Sequence, residues 1–177
     1  LVDDDEADVR AARSGDDDAF ARLVARHTPA VASLVRRFTR DPLRLEELVQ
    51  DTFVEAHRGL HGFAGDAPLV HWLRRIGTRV GYRFWTRHRR EQATVSEVDL
   101  DRVPVDDPTA GALEAAEWVH ALLARLRPRD RLVLTLVHLE DCTMAEVAAL
   151  TGWSLSMVKV QAHRARKRLA AVMEESP

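Results

Sequence analysis

Two pairs of potential metal ligands stand at helical i, i+4 spacing, His57 with His61 and His138 with Cys142. A stable zinc site draws on about four ligands, and no further cluster accompanies either pair, so no metal and no cofactor are expected. A phosphate-binding Gly-rich loop and a nucleophile–base pair are both absent from the pattern, which leaves an enzyme acting on nucleic acid without its machinery. The chemistry that remains is non-covalent. Arg74, Arg75, Arg79, Arg83, Arg87, Arg89 and Arg90 fall between His71 and Arg90 with no acid among them. A second basic block runs from Lys159 to Arg168. Guanidinium and ammonium groups in such runs neutralise phosphates. Close to the second block, Ser154, Ser156 and Gln161 offer donors and acceptors that can read base edges.

The elements that must hold these residues are helices. From Asp18 to Arg40 the residues Phe20, Leu23, Val24, His27, Val31, Leu34, Val35 and Phe38 form one stripe, with Pro29 expected to bend or divide that helix. A second helix follows Asp41-Pro42 to about Arg58, and a loop spans Gly59 to Pro68. A third helix runs from Leu69 to about Arg90. Periodicity stops between Thr94 and Ala112, where Pro104, Pro108 and Gly111 sit among acids. Helices then resume at Leu113–Leu126, Arg129–Leu139, Thr143–Leu150 and Leu155 to about Glu174. The expected fold is all-α, with two small helical domains, 18–93 and 113–177, joined by a flexible acidic linker over 94–112. Residues 1–17, opening with Asp3-Asp4-Asp5-Glu6-Ala7-Asp8, are expected to form an acidic, solvated tail.

Within the last domain, Thr143 to Lys159 reads as a helix-turn-helix. Thr143 and Glu146 have capping-box spacing, Gly152 supplies the turn, and Ser154 is placed to cap the second helix. Leu155, Val158, Ala162 and Ala165 are expected to hold that helix on the core. Ser154, Ser156, Met157, Lys159, Val160, Gln161, His163, Arg164 and Lys167 are left for solvent and a DNA groove. Tyr82, Phe84 and Trp85 cannot all face one core, so at least one is expected at a DNA or protein surface.

The 177 residues carry 46% hydrophobic and 31% charged side chains with a formal net charge of -2. That average hides alternating acidic and basic blocks, which suit two nucleic-acid contact surfaces on separate modules. One cysteine excludes an internal disulfide framework and fits a reducing cytoplasm. No apolar run reaches the ~20 residues of a membrane span.

With these motifs in view the chain resembles the extracytoplasmic-function sigma factors of bacterial RNA polymerase. Leu126-Arg127-Pro128-Arg129-Asp130-Arg131, Ala145-Glu146-Val147-Ala148 and Val158-Lys159 with Arg164-Ala165-Arg166 look like the family's region 4. Glu46-Glu47-Leu48-Val49-Gln50-Asp51-Thr52-Phe53 resembles region 2.2, and Trp72-Leu73-Arg74-Arg75-Ile76 the start of regions 2.3 and 2.4. The resemblance implies that Glu47, Gln50, Asp51 and Glu55 face core polymerase. It implies that His61, Phe63, Ala64, Gly65 and Asp66 receive an unstacked −10 base. It places Arg74, Arg75, Arg79, Arg83 and Arg87 along the −10 DNA, and the last helix on the −35 element. It further implies an anti-sigma partner, and a path for the acidic linker (Glu97, Asp99, Asp101, Asp106, Asp107) through the polymerase cleft. The chain departs from the family's frequent residues at Glu47, Arg79, Arg83 and Gln161, where Asp, Asn, Asp and Arg are common. Gln at 161 favours adenine over guanine contacts, so no −35 sequence is carried over. The competing reading is a helix-turn-helix regulator with a sigma-like body and no initiation activity.

Overall fold

The computed structural model describes residues 2–94 and 110–174. The expected linker therefore falls, except at its ends, outside the described residues, together with its five acids. Described residues form α1 (Val2–Arg13), α2 (Asp17–Val35), α3 (Pro42–Gly59), a 3-10 turn at Leu60–Gly62, α4 (Leu69–Thr94), α5 (Ala110–Ala124), α6 (Pro128–His138), α7 (Met144–Thr151) and α8 (Leu155–Glu174). They divide into two compact units, Leu1–Trp85 and Thr86–Pro177. No helix among the described residues is long and apolar enough to cross a membrane.

In the N-terminal unit, Asp16 caps α2 through its carboxylate, which accepts from the Ala19 amide at 3.0 Å. Asp41 does the same for α3, with Pro42 in its first turn. Leu23, Val31, Leu34 and Val35 of α2 meet Leu48, Phe53 and Ala56 of α3 and Leu73, Ile76 and Val80 of α4 in one apolar core. Of the two outcomes expected at Pro29, division does not occur: α2 runs through it as one helix. Pro29 and Ala25, whose carbonyl loses its helical partner, both face solvent, so water can satisfy that carbonyl. Thr28, beside the proline, donates its hydroxyl to the Val24 carbonyl at 2.7 Å.

The acidic N-terminus is not a solvated tail. It forms α1 and packs on α2 through opposite charges. Arg22 Nε donates to Asp8 at 2.9 Å, and Arg26 reaches Asp5 at 2.6 Å and Asp8 at 2.8 Å. His27, buried on the same face, lies 2.9 Å from Asp5. Hydrogen bonds from Arg22, and then from Arg26, hold the Asp8 carboxyl below its ordinary value.

In the C-terminal unit, Leu123, Leu126, Leu134 and Ala165 form a buried cluster. Val133, Leu136, Val147 and Val158, each fully enclosed, complete the packing of α6, α7 and α8. Arg131 is also drawn inward, with its guanidinium 3.1 Å from the His120 ring, and burial lowers its pKa to about 10. The capping box forms as expected: the Glu146 amide donates to Thr143 Oγ1 at 3.2 Å, and the Thr143 amide donates to Glu146 Oε2 at 2.7 Å. Thr143→Ala removes one half of this reciprocal pair and is expected to cost about 1 kcal/mol. Thermal unfolding of the variant beside the wild-type chain measures it.

Candidate nucleic-acid interface

The helix-turn-helix is built by two backbone devices. Gly152, at φ 76°, closes α7 in the left-handed conformation and donates its amide to the Ala148 carbonyl. Ser154 Oγ accepts from the Met157 amide at 3.2 Å and opens α8. Val158, Ala162 and Ala165 then turn inward, as their spacing predicts. Leu155 does not join them: it stands 43% exposed in the first turn of α8. Ser154, Ser156, Lys159, Val160, His163, Arg164 and Lys167 are exposed on the outer face, and Met157 is half-buried at its edge.

Gln161 is placed differently from its companions. Its amide nitrogen donates to Oδ1 of Asp130, a fully buried carboxylate on α6. Arg168 bonds the other oxygen of the same carboxylate. One acid thus ties α8 to α6 at two points, and Gln161 is turned toward the scaffold rather than into a groove. Pattern reading missed Asp130. The only local signal for it is an acid in the first turn of α6, just ahead of the apolar run Leu132–Leu134.

In the N-terminal unit, Leu48, Thr52, Phe53 and Ala56 take the inner face of α3. Glu47, Gln50 and Asp51 are left exposed, and Glu55 is half-buried. Beside this polar stripe lies an apolar groove of about 680 Å³, walled by Phe20, Val24, Val49 and Val54. On α4 the residues Arg75, Arg79, Arg83 and Arg87 recur every four positions and are all exposed, whereas Arg74 is half-buried. Arg83 forms an ion pair with Glu55, so the stripes of α3 and α4 meet there.

Of the three clustered aromatics, Trp85 is a core residue. Its ring packs 4.5 Å from Phe38 and its Nε1–H donates to the Phe38 carbonyl at 2.7 Å. Tyr82 and Phe84 are half-buried. In the loop before α4, His61, Ala64, Gly65 and Asp66 are exposed, and Phe63 rests 5.3 Å from Trp72. Gly65, at φ 80°, takes a backbone conformation that L side chains rarely adopt. Arg13 of α1 bonds two carbonyls of this loop, an anchor that the sequence pattern did not suggest.

Among the described residues no group of three His, Cys, Asp or Glu side chains could hold a metal ion. What the two units offer is a basic helical stripe with a polar helix beside it, and a helix-turn-helix with a basic outer face. Residues 23–91 match the family described as sigma-70 region 2, and residues 116–169 match sigma-70 region 4. The RNA polymerase sigma factor CnrH of Cupriavidus metallidurans is 34% identical over 174 residues, covering 92% of this chain and 91% of the relative. The ECF RNA polymerase sigma factor SigM of Mycobacterium tuberculosis is 33% identical over 169 residues, covering 95% and 84%. The solved structure of CnrH in complex with the cytosolic domain of CnrY superposes with a TM-score of 0.62 at 30% identity. It covers 98% of this chain and 99% of that one.

Proposed function

The chain belongs to the extracytoplasmic-function sigma factors of RNA polymerase, and from that premise we propose how its surfaces divide the work of initiation. The protein binds core polymerase and directs it to promoters, acting as an initiation factor in the cytoplasm. The polar face of α3, Glu47, Gln50, Asp51 and Glu55, docks on core polymerase. The stripe of Arg75, Arg79, Arg83 and Arg87, with Arg74 at its edge, follows −10 DNA while the loop from His61 to Asp66 accepts an unstacked base. Unstacking costs a few kcal/mol per step, and cationic side chains that hold the separated strand offset it. The outer face of α8 enters the major groove at the −35 element. There Lys159, Arg164 and Lys167 meet phosphates, and Ser156, Met157 and Val160 meet base edges. Val160 is 50% exposed, an apolar group suited to a thymine methyl. An anti-sigma partner that covers these surfaces would hold the factor inactive; the similar CnrH has been solved in complex with the cytosolic domain of CnrY.

The observation that carries this reading is the polar face of α3 beside the basic stripe of α4 on a chain that also carries the helix-turn-helix. A regulator that only binds DNA has no use for the first. Run-off transcription with purified bacterial core polymerase and a genomic promoter library tests it. Discrete start sites that depend on the protein are expected; neither initiation nor core binding would leave the helix-turn-helix regulator as the better account.

The two DNA surfaces should separate by substitution. Lys159→Ala with Arg164→Ala is expected to weaken binding to −35 duplex and lower the salt slope by about 1 for each phosphate no longer neutralised. Arg75→Ala with Arg79→Ala should leave that binding in place and slow strand opening, read by permanganate reactivity. Equal loss of both properties in both variants contradicts the division.

A further inference from the structure

The −10 loop has little regular structure of its own, yet one side chain spans it. The Phe63 amide closes the 3-10 turn on the Leu60 carbonyl at 3.1 Å, after which the chain runs irregularly to α4. Arg13, half-buried at the end of α1, donates Nε–H to the Leu60 carbonyl at 3.0 Å and Nη2–H to the Phe63 carbonyl. A planar guanidinium bridges two carbonyls from separate nitrogens in a fixed fork, whereas an ammonium must reach both from one nitrogen on a flexible stem and holds them less rigidly. The anchor stands on firm ground, because Asp5 and Asp8 of the same helix are tied to Arg22, Arg26 and His27 of α2. Between α1 and the loop opens a cleft of about 380 Å³, lined among others by Glu6, Arg10, Arg13, Phe63 and Asp66.

We propose that Arg13 is a positioning residue for −10 recognition, holding the His61–Asp66 loop in the shape that accepts an unstacked base. This rests on the assignment of that loop to the −10 element. An unanchored loop must be ordered anew at each binding event, which weakens the cognate complex and blurs its distinction from near-cognate ones. The carbonyls that lose Arg13 lie at a partly open site where water can replace the guanidinium, so the fold should survive.

The test uses holoenzyme assembled from core polymerase and the full chain, with fork-junction DNA carrying 2-aminopurine at single −10 positions. Arg13→Ala is expected to leave the melting temperature, core affinity and −35 affinity near wild type. The ratio of cognate to single-mismatch −10 affinity should fall about tenfold, within the usual span for one mismatched base pair. The 2-aminopurine signal at the extruded position should fall with it. Arg13→Lys should fall between the two, and it carries the test if the alanine variant is unstable. Asp66→Ala, within the loop itself, separates the possible failures. If it changes the ratio while both Arg13 variants keep it, Arg13 has no positioning role. If neither position changes the ratio, the loop assignment fails and the proposal with it. Loss of core affinity in parallel with the ratio would reduce Arg13 to a support of the fold and overturn the proposal.

Discussion

Gly81→Ala is expected to destabilise the N-terminal unit by about 3 kcal/mol, at the upper end of what overpacking a core costs. A methyl group at this position in α4 would overlap the ring carbons of Phe38. Phe38 is 1% exposed and has no space to withdraw into. Its ring lies against Trp85, and its carbonyl accepts the Trp85 indole N–H, so moving Phe38 disturbs both at once. Gly77 provides a built-in contrast one turn earlier. A methyl there would approach Leu34 Cδ2 at 3.2 Å, a contact that a shift of a few tenths of an ångström at the end of that side chain relieves. Gly77→Ala is therefore expected to cost only about 1 kcal/mol. Thermal unfolding should show a fall of roughly 10–20 °C for Gly81→Ala and a few degrees for Gly77→Ala. Binding of −35 duplex, which we assign to the other unit, should persist in both. Similar melting temperatures for the two variants would mean that Phe38 repacks and that the close approach of α4 is not required.

Asp130→Ala carries the second large effect, in the C-terminal unit. The carboxylate is fully buried and receives Gln161 and Arg168 on its two oxygens. Removing one member of a buried pair can cost about 3–5 kcal/mol when the other is stranded. Arg168 is not stranded, because its side chain is 44% exposed and can turn to water. Gln161 is only half-buried. An expected loss of about 2 kcal/mol follows, near the value of a hydrogen bond to a charged group. The effect on DNA is more diagnostic than the effect on stability. Because Asp130 sets how α8 is carried rather than what it touches, affinity should fall alike for every −35 sequence in a randomised duplex pool. Asp130→Asn, which keeps one acceptor, should fall less. A change confined to particular bases would instead place Gln161 or its neighbours on the DNA in the bound state.

Much of the fold is readable from residue types and spacing, and the misreadings share a cause. The stripe in α2, the capping box at Thr143 and the seam of Val158, Ala162 and Ala165 are local patterns of period 3.6, and they form where periodicity places them. Gln161 sits about 60° around α8 from that seam, at the border between inside and outside. Its partner Asp130 lies 31 positions away and decides the matter. The pattern leaves open which of Tyr82, Phe84 and Trp85 enters the core, and for Trp85 the partner that decides it is Phe38, 47 positions earlier. The acidic N-terminus reads as a solvated run because its counter-charges, Arg22, Arg26 and His27, belong to the next helix. A local signal does exist: Gly15, at φ 94°, followed by Asp16 as a cap, is the punctuation between two helices. The exposed faces of α3, α4 and α8 are legible because solvated polar residues leave gaps in an apolar pattern. Arg13 leaves no such trace, since its partners are backbone carbonyls.

The turns of the N-terminal unit also bear on how the chain comes into being. Only Ser14–Asp16 separate α1 from α2, and only Arg36–Asp41 separate α2 from α3. Closing loops this short costs little chain entropy, and helical units rich in near-neighbour contacts fold fast. A ribosome adds residues at roughly 5–20 per second, and domains condense in the order they emerge. On the proposed division of surfaces, the unit assigned to polymerase docking is expected to fold while the helix-turn-helix unit is still being synthesised, so the nascent factor would acquire its docking face before its second DNA-binding one.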